Sequence, residues 1–280
     1  MQTPFSITLQ YLIPKQLLTA LAGKLASAKL GWLTHRFIAW FVRRYGVNMQ
    51  EAADTNINHY ASFNDFFTRA LKAGTRTQSK SLLTCPVDGR ISQFGPIQHG
   101  KLIQAKGHDY SLEALLAGDK QQAESYAEGD FATIYLSPKD YHRIHMPCAG
   151  QLLKMTYVPG DLFSVNPLTA EHVPGLFARN ERVICEFHGK AGHFVMVLVG
   201  ATIVGSMATV WHGVVNPPRR GKIQHWDYRQ QEIHLKQGDE MGRFLLGSTV
   251  IVLLPQRQFE FHPDWHAGKA VKLGEAMSTK

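Results

Sequence analysis

Close to the C-terminus, Leu246-Gly247-Ser248-Thr249 leads into the apolar run Val250 to Leu254, which Pro255 stops. A Gly-Ser turn feeding a strand is an ordinary object, but it is also a place where a serine can attack its own backbone. If Ser248 Oγ adds to the Gly247 carbonyl, the amide becomes an ester. Gly247 suits that step because it has no Cβ to shield the carbonyl and tolerates strained dihedrals. Loss of the Ser248 α-proton then eliminates the ester to dehydroalanine, and hydrolysis leaves a pyruvoyl group at a new N-terminus, an electrophilic ketone made from the chain itself.

Such an attack requires a base for the hydroxyl and a partner that fixes the tautomer of that base. The chain offers both residue types. His142 and His145 stand in Ser137-Pro138-Lys139-Asp140-Tyr141-His142-Arg143-Ile144-His145-Met146-Pro147-Cys148, and Asp88 stands in Cys85-Pro86-Val87-Asp88-Gly89-Arg90. Each also has a bland explanation. Asp-Gly is a common turn pair, and His142, His145 and Cys148 recur at a metal-ligand spacing that lacks a fourth donor.

The elements that must position these residues can be read from periodicity. Leu17, Leu18, Leu21 and Leu25, then Leu33, Phe37, Trp40 and Phe41, recur at helical steps and predict two amphipathic helices between Lys15 and Tyr45, divided near Gly31. Lys15, Lys24, Lys29, Arg36, Arg43 and Arg44 decorate them, and Trp32 and Trp40 suit a membrane interface. The alternative is a helical hairpin docked on the protein's own core. Ser62 and Asp65 predict a capped short helix over Phe66, Phe67 and Leu71, and another is expected over Ser111 to Ala117. Strands are expected at Phe131 to Leu136, Leu152 to Val158, Arg182 to Phe187, within Phe194 to Val215, and at Ser248 to Leu254. The fold class is therefore α+β: an amphipathic helical N-terminal region over residues 1–83, then a mainly antiparallel β-rich catalytic core over residues 84–280.

With 280 residues and 44% hydrophobic content, the chain can bury a substantial core. Its formal charge of +8 favours an anionic partner without choosing among nucleic acid, phospholipid and acidic protein. The three cysteines, Cys85, Cys148 and Cys185, contain no CxxC pair, which argues against a disulfide framework or a four-cysteine zinc site and points to a reducing compartment. The N-terminus does not read as a secretory signal, and no apolar run reads as a spanning helix.

Taken in order, several segments resemble the phosphatidylserine decarboxylase family of prokaryotic type. They are Phe63-Asn64-Asp65-Phe66-Phe67-Thr68-Arg69, Pro86-Val87-Asp88-Gly89, Tyr135-Leu136-Ser137-Pro138, Tyr141 to Pro147, Tyr157-Val158-Pro159-Gly160, Asn180-Glu181-Arg182 and Leu246-Gly247-Ser248-Thr249. The resemblance implies that Asp88, His145 and Ser248 form a self-cleavage triad. It further implies a cut between Gly247 and Ser248 into a larger chain, 1–247, and a smaller one, 248–280, and a role for His142 in decarboxylation. A departure from the family pattern is Leu245, where a polar residue is frequent, but that position lies outside the catalytic set.

The implied reaction converts phosphatidylserine to phosphatidylethanolamine and carbon dioxide on a covalent pyruvoyl (pyruvate) group derived from Ser248. Loss of carbon dioxide leaves electrons on Cα that no ordinary side chain can delocalise, so an electron sink is chemically necessary. Tyr141, and Phe163 in the loop Tyr157 to Pro167, are the candidates for substrate contact. No metal and no nucleic acid is expected. The expected partners are the lipid in an anionic membrane and the two chains of one precursor as a heterodimer, with a dimer of heterodimers left open. The expected location is the cytoplasmic side of the cell membrane, as a peripheral protein.

Overall fold

A computed structural model describes residues 4–105, 107–202, 206–216, 221–245, 248–255 and 259–279. Gly247, half of the expected cleavage site, and its neighbour Leu246 lie outside the described residues. Three helices open the chain: α1 (Phe5–Leu12), α2 (Lys15–Ser27) and α3 (Trp32–Tyr45). The last two are those expected from the leucine and aromatic spacing. Gly31 divides them with a φ of 57°, in the left-handed region that glycine enters without steric penalty. α1 escaped the sequence reading because its short, mixed segment has little intrinsic helical signal, and tertiary contacts hold it. Ile7 is fully buried, while Gln10 accepts from Ser164 N at 2.9 Å and donates to Thr169 Oγ1 at 3.3 Å.

A fourth helix, α4 (Phe63–Phe67), starts where the capping signal placed it, with Ser62 Oγ accepting from Asp65 N at 3.1 Å. Ala26 from α2 and Ile38 and Phe41 from α3 pack with Phe63, Phe66 and Phe67 in a cluster of their own. The N-terminal helices are thus both docked and open: one face meets α4, and the rest faces outward.

The remainder of the chain is built on antiparallel strands. Those that position the site are β1 (Gly89–Pro96), β2 (Asp130–Leu136), β3 (Arg143–His145), β4 (Gly150–Val158), β5 (Arg182–Gly189), β6 (Gly192–Val199), β7 (Met207–Thr209), β8 (Glu240–Phe244), β9 (Ser248–Leu254) and β10 (Ala270–Val271). A nine-stranded sheet runs from Gln224–Asp227 through β4, β5, β6, β9, β2 and β1 to β10, with His234–Leu235 also paired to β4. A smaller sheet joins Gly213–Val214, β7, β8 and β3. The apolar stretch from Phe194 accordingly divides: β6 lies in the large sheet, while β7 and Gly213–Val214 lie in the small one.

Side-chain parity explains the layering. Val250, Val252 and Leu254 of β9 join Ala132, Ile134 and Leu136 of β2 in one core, which also takes Ile144, Met207, Met241 and Phe244 from the small sheet. Ile251 and Leu253, with Phe131, enter a second core together with Leu112, Leu115, Tyr126, Leu176 and Phe177 from short helices. Because both faces of β9 are covered, its sequence is continuously apolar instead of alternating. β1 was not anticipated, since Arg90, Ser92 and Gln93 dilute its apolar pattern. Gly89 at its start allows a close approach: a Cβ there would meet Tyr135 O at 2.5 Å.

Candidate active site

Ser248 is the first residue of β9 and pairs with Leu136, the last residue of β2. By parity it shares the face of Val250 and Val252, toward the small sheet. Its side chain is 1% exposed, and Oγ has no hydrogen-bond partner among the described residues. A buried hydroxyl without a partner is unfavourable in a purely structural position. The segment after Leu136 runs directly to the two histidines, and the strand before Ser248, β8, is bonded to both of their neighbourhoods. Phe244 N donates to His142 O at 3.0 Å, and Glu240 pairs with His145 in the β8–β3 ladder.

His145 has its tautomer set by the backbone. Nδ1 lies 2.8 Å from Gly238 O, so Nδ1 carries the proton and Nε2 presents its lone pair, 3.1 Å from the Tyr141 hydroxyl. Burial lowers the pKa of His145, partly opposed by the Gly238 carbonyl, so the ring is neutral near pH 7. Burial also pushes Tyr141 up to about 12, which keeps its hydroxyl a donor to that lone pair. The carbonyl does for His145 what a carboxylate does in a Ser-His-Asp triad.

His142 is fully buried beneath Phe67, with ring centroids 4.0 Å apart. Nδ1 donates to Asp140 O at 2.8 Å, and Nε2 is buried with no partner among the described residues. Desolvation drives its pKa down to about 3, so Nε2 is an unprotonated acceptor. His142 thus has a hydrogen-bonding atom that nothing among the described residues uses.

Asp88 is 2% exposed and fully engaged, though not with His145. Arg76 grips it from Nε to Oδ1 at 2.9 Å and from Nη2 to Oδ2 at 2.5 Å. Lys272 Nζ lies 3.3 Å from Oδ2, and Leu273 N donates to Oδ1 at 2.9 Å. Burial alone would raise the carboxyl pKa, but these bonds hold it below the ordinary carboxylate range. The link to His145 runs through the backbone, where His145 N donates to Pro86 O at 2.9 Å. Arg76 and Lys272 had no distinguishing sequence signal: one is an isolated basic residue, and the other is remote along the chain.

The other sequence candidates separate. Cys148 lies in the apolar core with its thiol pushed up to about 12 by burial, and among the described residues no group of three or more His, Cys, Asp or Glu is placed to hold a metal. Phe163 is 1% exposed in the second core, edge-to-face with Tyr11 at 4.9 Å and beneath Lys15 Nζ at 4.1 Å. Asn180 pins its backbone from both sides, accepting from Phe163 N at 3.1 Å and donating to Phe163 O at 2.8 Å. The structure does not bring Phe163 to the cavity that leads to the histidines. That cavity, of about 600 Å³, is almost entirely apolar and runs between α2 and α3, past Leu33 and Phe37, to Phe67 and Pro138. It therefore ends on the ring that covers His142.

Comparison with known proteins decides the family. The family model described as phosphatidylserine decarboxylase matches residues 63–279, and a second model described as PSD matches residues 5–46. The chain belongs to the phosphatidylserine decarboxylase family. Among the relatives of this decarboxylase-family chain, the phosphatidylserine decarboxylase proenzyme of Methylobacillus flagellatus is 67% identical over 279 residues, covering 99% of this chain and 100% of that protein. The proenzyme of Dechloromonas aromatica is 63% identical over 270 residues, 96% of each chain. That of Methylibium petroleiphilum is 61% identical over 272 residues, 97% of this chain and 96% of that protein. The similarity to the decarboxylase proenzymes thus spans the N-terminal helices as well as the β-rich core.

Proposed function

We propose that this chain is a self-processing enzyme that cuts between Gly247 and Ser248 and decarboxylates phosphatidylserine to phosphatidylethanolamine. The observation that carries the reading is the partnerless, buried Ser248 Oγ at the start of β9, beside a strand bonded to His142. The names of the relatives, each a proenzyme, support it.

Processing begins when Ser248 Oγ adds to the Gly247 carbonyl and its proton passes to His145 Nε2, which exchanges Tyr141 for Ser248 as its partner. His145 hands that proton to the amide nitrogen, which leaves as an amine while the ester remains, and the ring is again a free base. The same base removes the Ser248 α-proton, the ester carboxylate departs as the end of the larger chain, and water releases ammonia to leave the ketone. Asp88, held by Arg76 and Lys272, fixes the turn whose Pro86 carbonyl carries the His145 backbone.

A pyruvoyl group at this position supplies a ketone that condenses with the substrate amine and accepts the electron pair released with carbon dioxide. The site suits it, since a new chain end on β9 would lie in an apolar, water-poor setting. His142 Nε2 accepts a hydrogen bond from the incoming substrate nitrogen, and the proton that nitrogen sheds on reacting passes through it to Cα after carbon dioxide has gone. Phe67 excludes water from that exchange. General acid-base help of this kind is worth about 10²- to 10⁴-fold. Tyr141, on the lone pair of His145, contacts the substrate from the same side.

The N-terminal helices deliver the lipid. Fourteen of the nineteen exposed large hydrophobic residues described lie in the first 45 residues, from Phe5 to Tyr45. The first acidic residue of the chain is Glu51, so the six lysines and arginines before it act unopposed. An apolar face bordered by bare cations binds an anionic bilayer peripherally, and no helix among the described residues is long and apolar enough to cross a membrane. The reading is tested by intact-mass analysis of purified protein incubated with carboxyl-labelled phosphatidylserine. Fragments 1–247 and 248–280, a keto-capped N-terminus on the latter and release of labelled carbon dioxide are expected. An uncut chain that still releases the label would overturn it.

A further inference from the structure

Among the described residues, three arginines are largely withdrawn from water, and two of them are fully bonded. Arg182, 3% exposed, donates from Nε to Leu115 O at 2.8 Å, from Nη1 to Ala178 O at 2.6 Å and from Nη2 to Ala114 O at 2.7 Å, tying two short helices to β5. Arg76 is bonded to Asp88 and, at 2.6 Å, to Glu51. Arg69 differs. It is 5% exposed, its Nη2 donates to Lys139 O at 3.2 Å, and its Nε and Nη1 are buried without a partner among the described residues. It forms no ion pair among them either; the Phe66 ring, 5.3 Å from Cζ, is its closest compensation.

A buried guanidinium with idle donors is expensive to keep, and removal of such a charge from water is offset chiefly by an anion that accepts from it. The position fits one. Arg69 follows Phe67 by two residues, and Phe67 both lines the cavity and covers His142. Its one acceptor, Lys139 O, belongs to the residue after Pro138, which lines the same cavity. The guanidinium therefore adjoins the place where an apolar channel meets the candidate proton carrier.

We propose that Arg69 binds the phosphodiester of the lipid substrate through one of its idle guanidinium donors. The inference rests on the decarboxylase reading above. Phosphatidylserine carries two anionic groups, and the chemistry chooses between them. A guanidinium on the carboxylate would stabilise a charge that disappears in the reaction and so oppose its loss. The phosphodiester keeps its charge from substrate to product, so binding it holds the headgroup without raising the barrier.

The test uses Arg69→Gln and Arg69→Lys beside the wild type, with lipid in neutral detergent micelles so that the basic helices do not contribute. Both variants should cut themselves normally, because Arg69 makes no bond to Asp88, His145 or Ser248. Arg69→Gln should raise KM for phosphatidylserine about tenfold or more, as the loss of a charged hydrogen bond implies, with a smaller change in kcat. Inhibition by phosphatidylethanolamine, which retains the phosphodiester and lacks the carboxylate, should weaken in parallel. A raised KM with unchanged product inhibition would assign Arg69 to the carboxylate and overturn the proposal, as would an unchanged KM. If Arg69→Gln does not fold, Arg69→Lys decides alone: intact cleavage with a raised KM supports the assignment, and a wild-type KM refutes it. Wild-type protein that cuts but releases no carbon dioxide would sink the decarboxylase reading instead, and product binding by the two forms would still judge Arg69.

Discussion

Two neutral histidines stand three residues apart here, and a backbone carbonyl fixes the tautomer of each, leaving both Nε2 atoms as acceptors. His145 Nδ1–H donates to Gly238 O, which fixes the tautomer and leaves the Nε2 lone pair free to act as a base. Because burial lowers the pKa of His145, that base stays unprotonated below the ordinary imidazole range. Self-cleavage should therefore hold its rate as pH falls through about 6.5 and decline only at more acid values. The rate of fragment appearance from freshly purified precursor, followed against pH, checks this; an acid limb above that value would contradict it. Substitution should split the two reactions. Ser248→Ala, His145→Ala and Asp88→Asn are expected to give a single uncut chain. His142→Ala should cut and then lose about 10²-fold or more in kcat, and full activity in that variant would remove His142 from the proton relay.

At this scale the sequence was informative about identity and uninformative about partnership. Asp88, His142, His145 and Ser248 could all be named from their motifs. Their bonds could not, because the deciding groups are Gly238 O, Asp140 O and Leu273 N, and a backbone carbonyl or amide leaves no trace in residue type. The expectation that Asp88 orients His145 directly gives way to a carboxylate held by Arg76 and Lys272.

Among the elements, those with strong periodicity were legible. α2, α3 and β9 follow the expected boundaries, since a leucine stripe and a doubly covered apolar run are patterns that packing preserves. α1 and β1 were not, because their conformations are imposed by docking: Gln10 and Ile7 hold the one, and pairing to β2 and β10 holds the other. The helices carry a testable consequence of their own. Phe37 and Trp40 are stacked at 5.5 Å on the exposed side of α3 and also line the cavity. Replacing both with serine should weaken sedimentation with phosphatidylglycerol-containing vesicles about tenfold or more, since full burial of a large ring is worth about 1.5–3 kcal/mol and each ring is about half-buried already, while self-cleavage proceeds. Undiminished vesicle binding would mean that the membrane is met by another surface.

For the molecule as a whole, the proposed cut would fall at the margin of a continuous sheet. β9 is bonded along one side to β2 and along the other to β6, and Lys272 and Leu273 reach back to Asp88. The two chains should accordingly coelute on gel filtration without denaturant and unfold in one transition, with the small chain released only when the sheet opens. Dissociation of fragment 248–280 from otherwise folded protein would disprove this.

The pairing of Ser248 with Leu136 has one more implication. A terminus made by breaking a chain normally frays, yet the proposed one would begin on a residue already paired with β2, and β6 joins from Thr249 onward. Under that proposal the severed end would have nowhere to drift, so the newly formed electrophile would stay in place and activation would need no search afterwards.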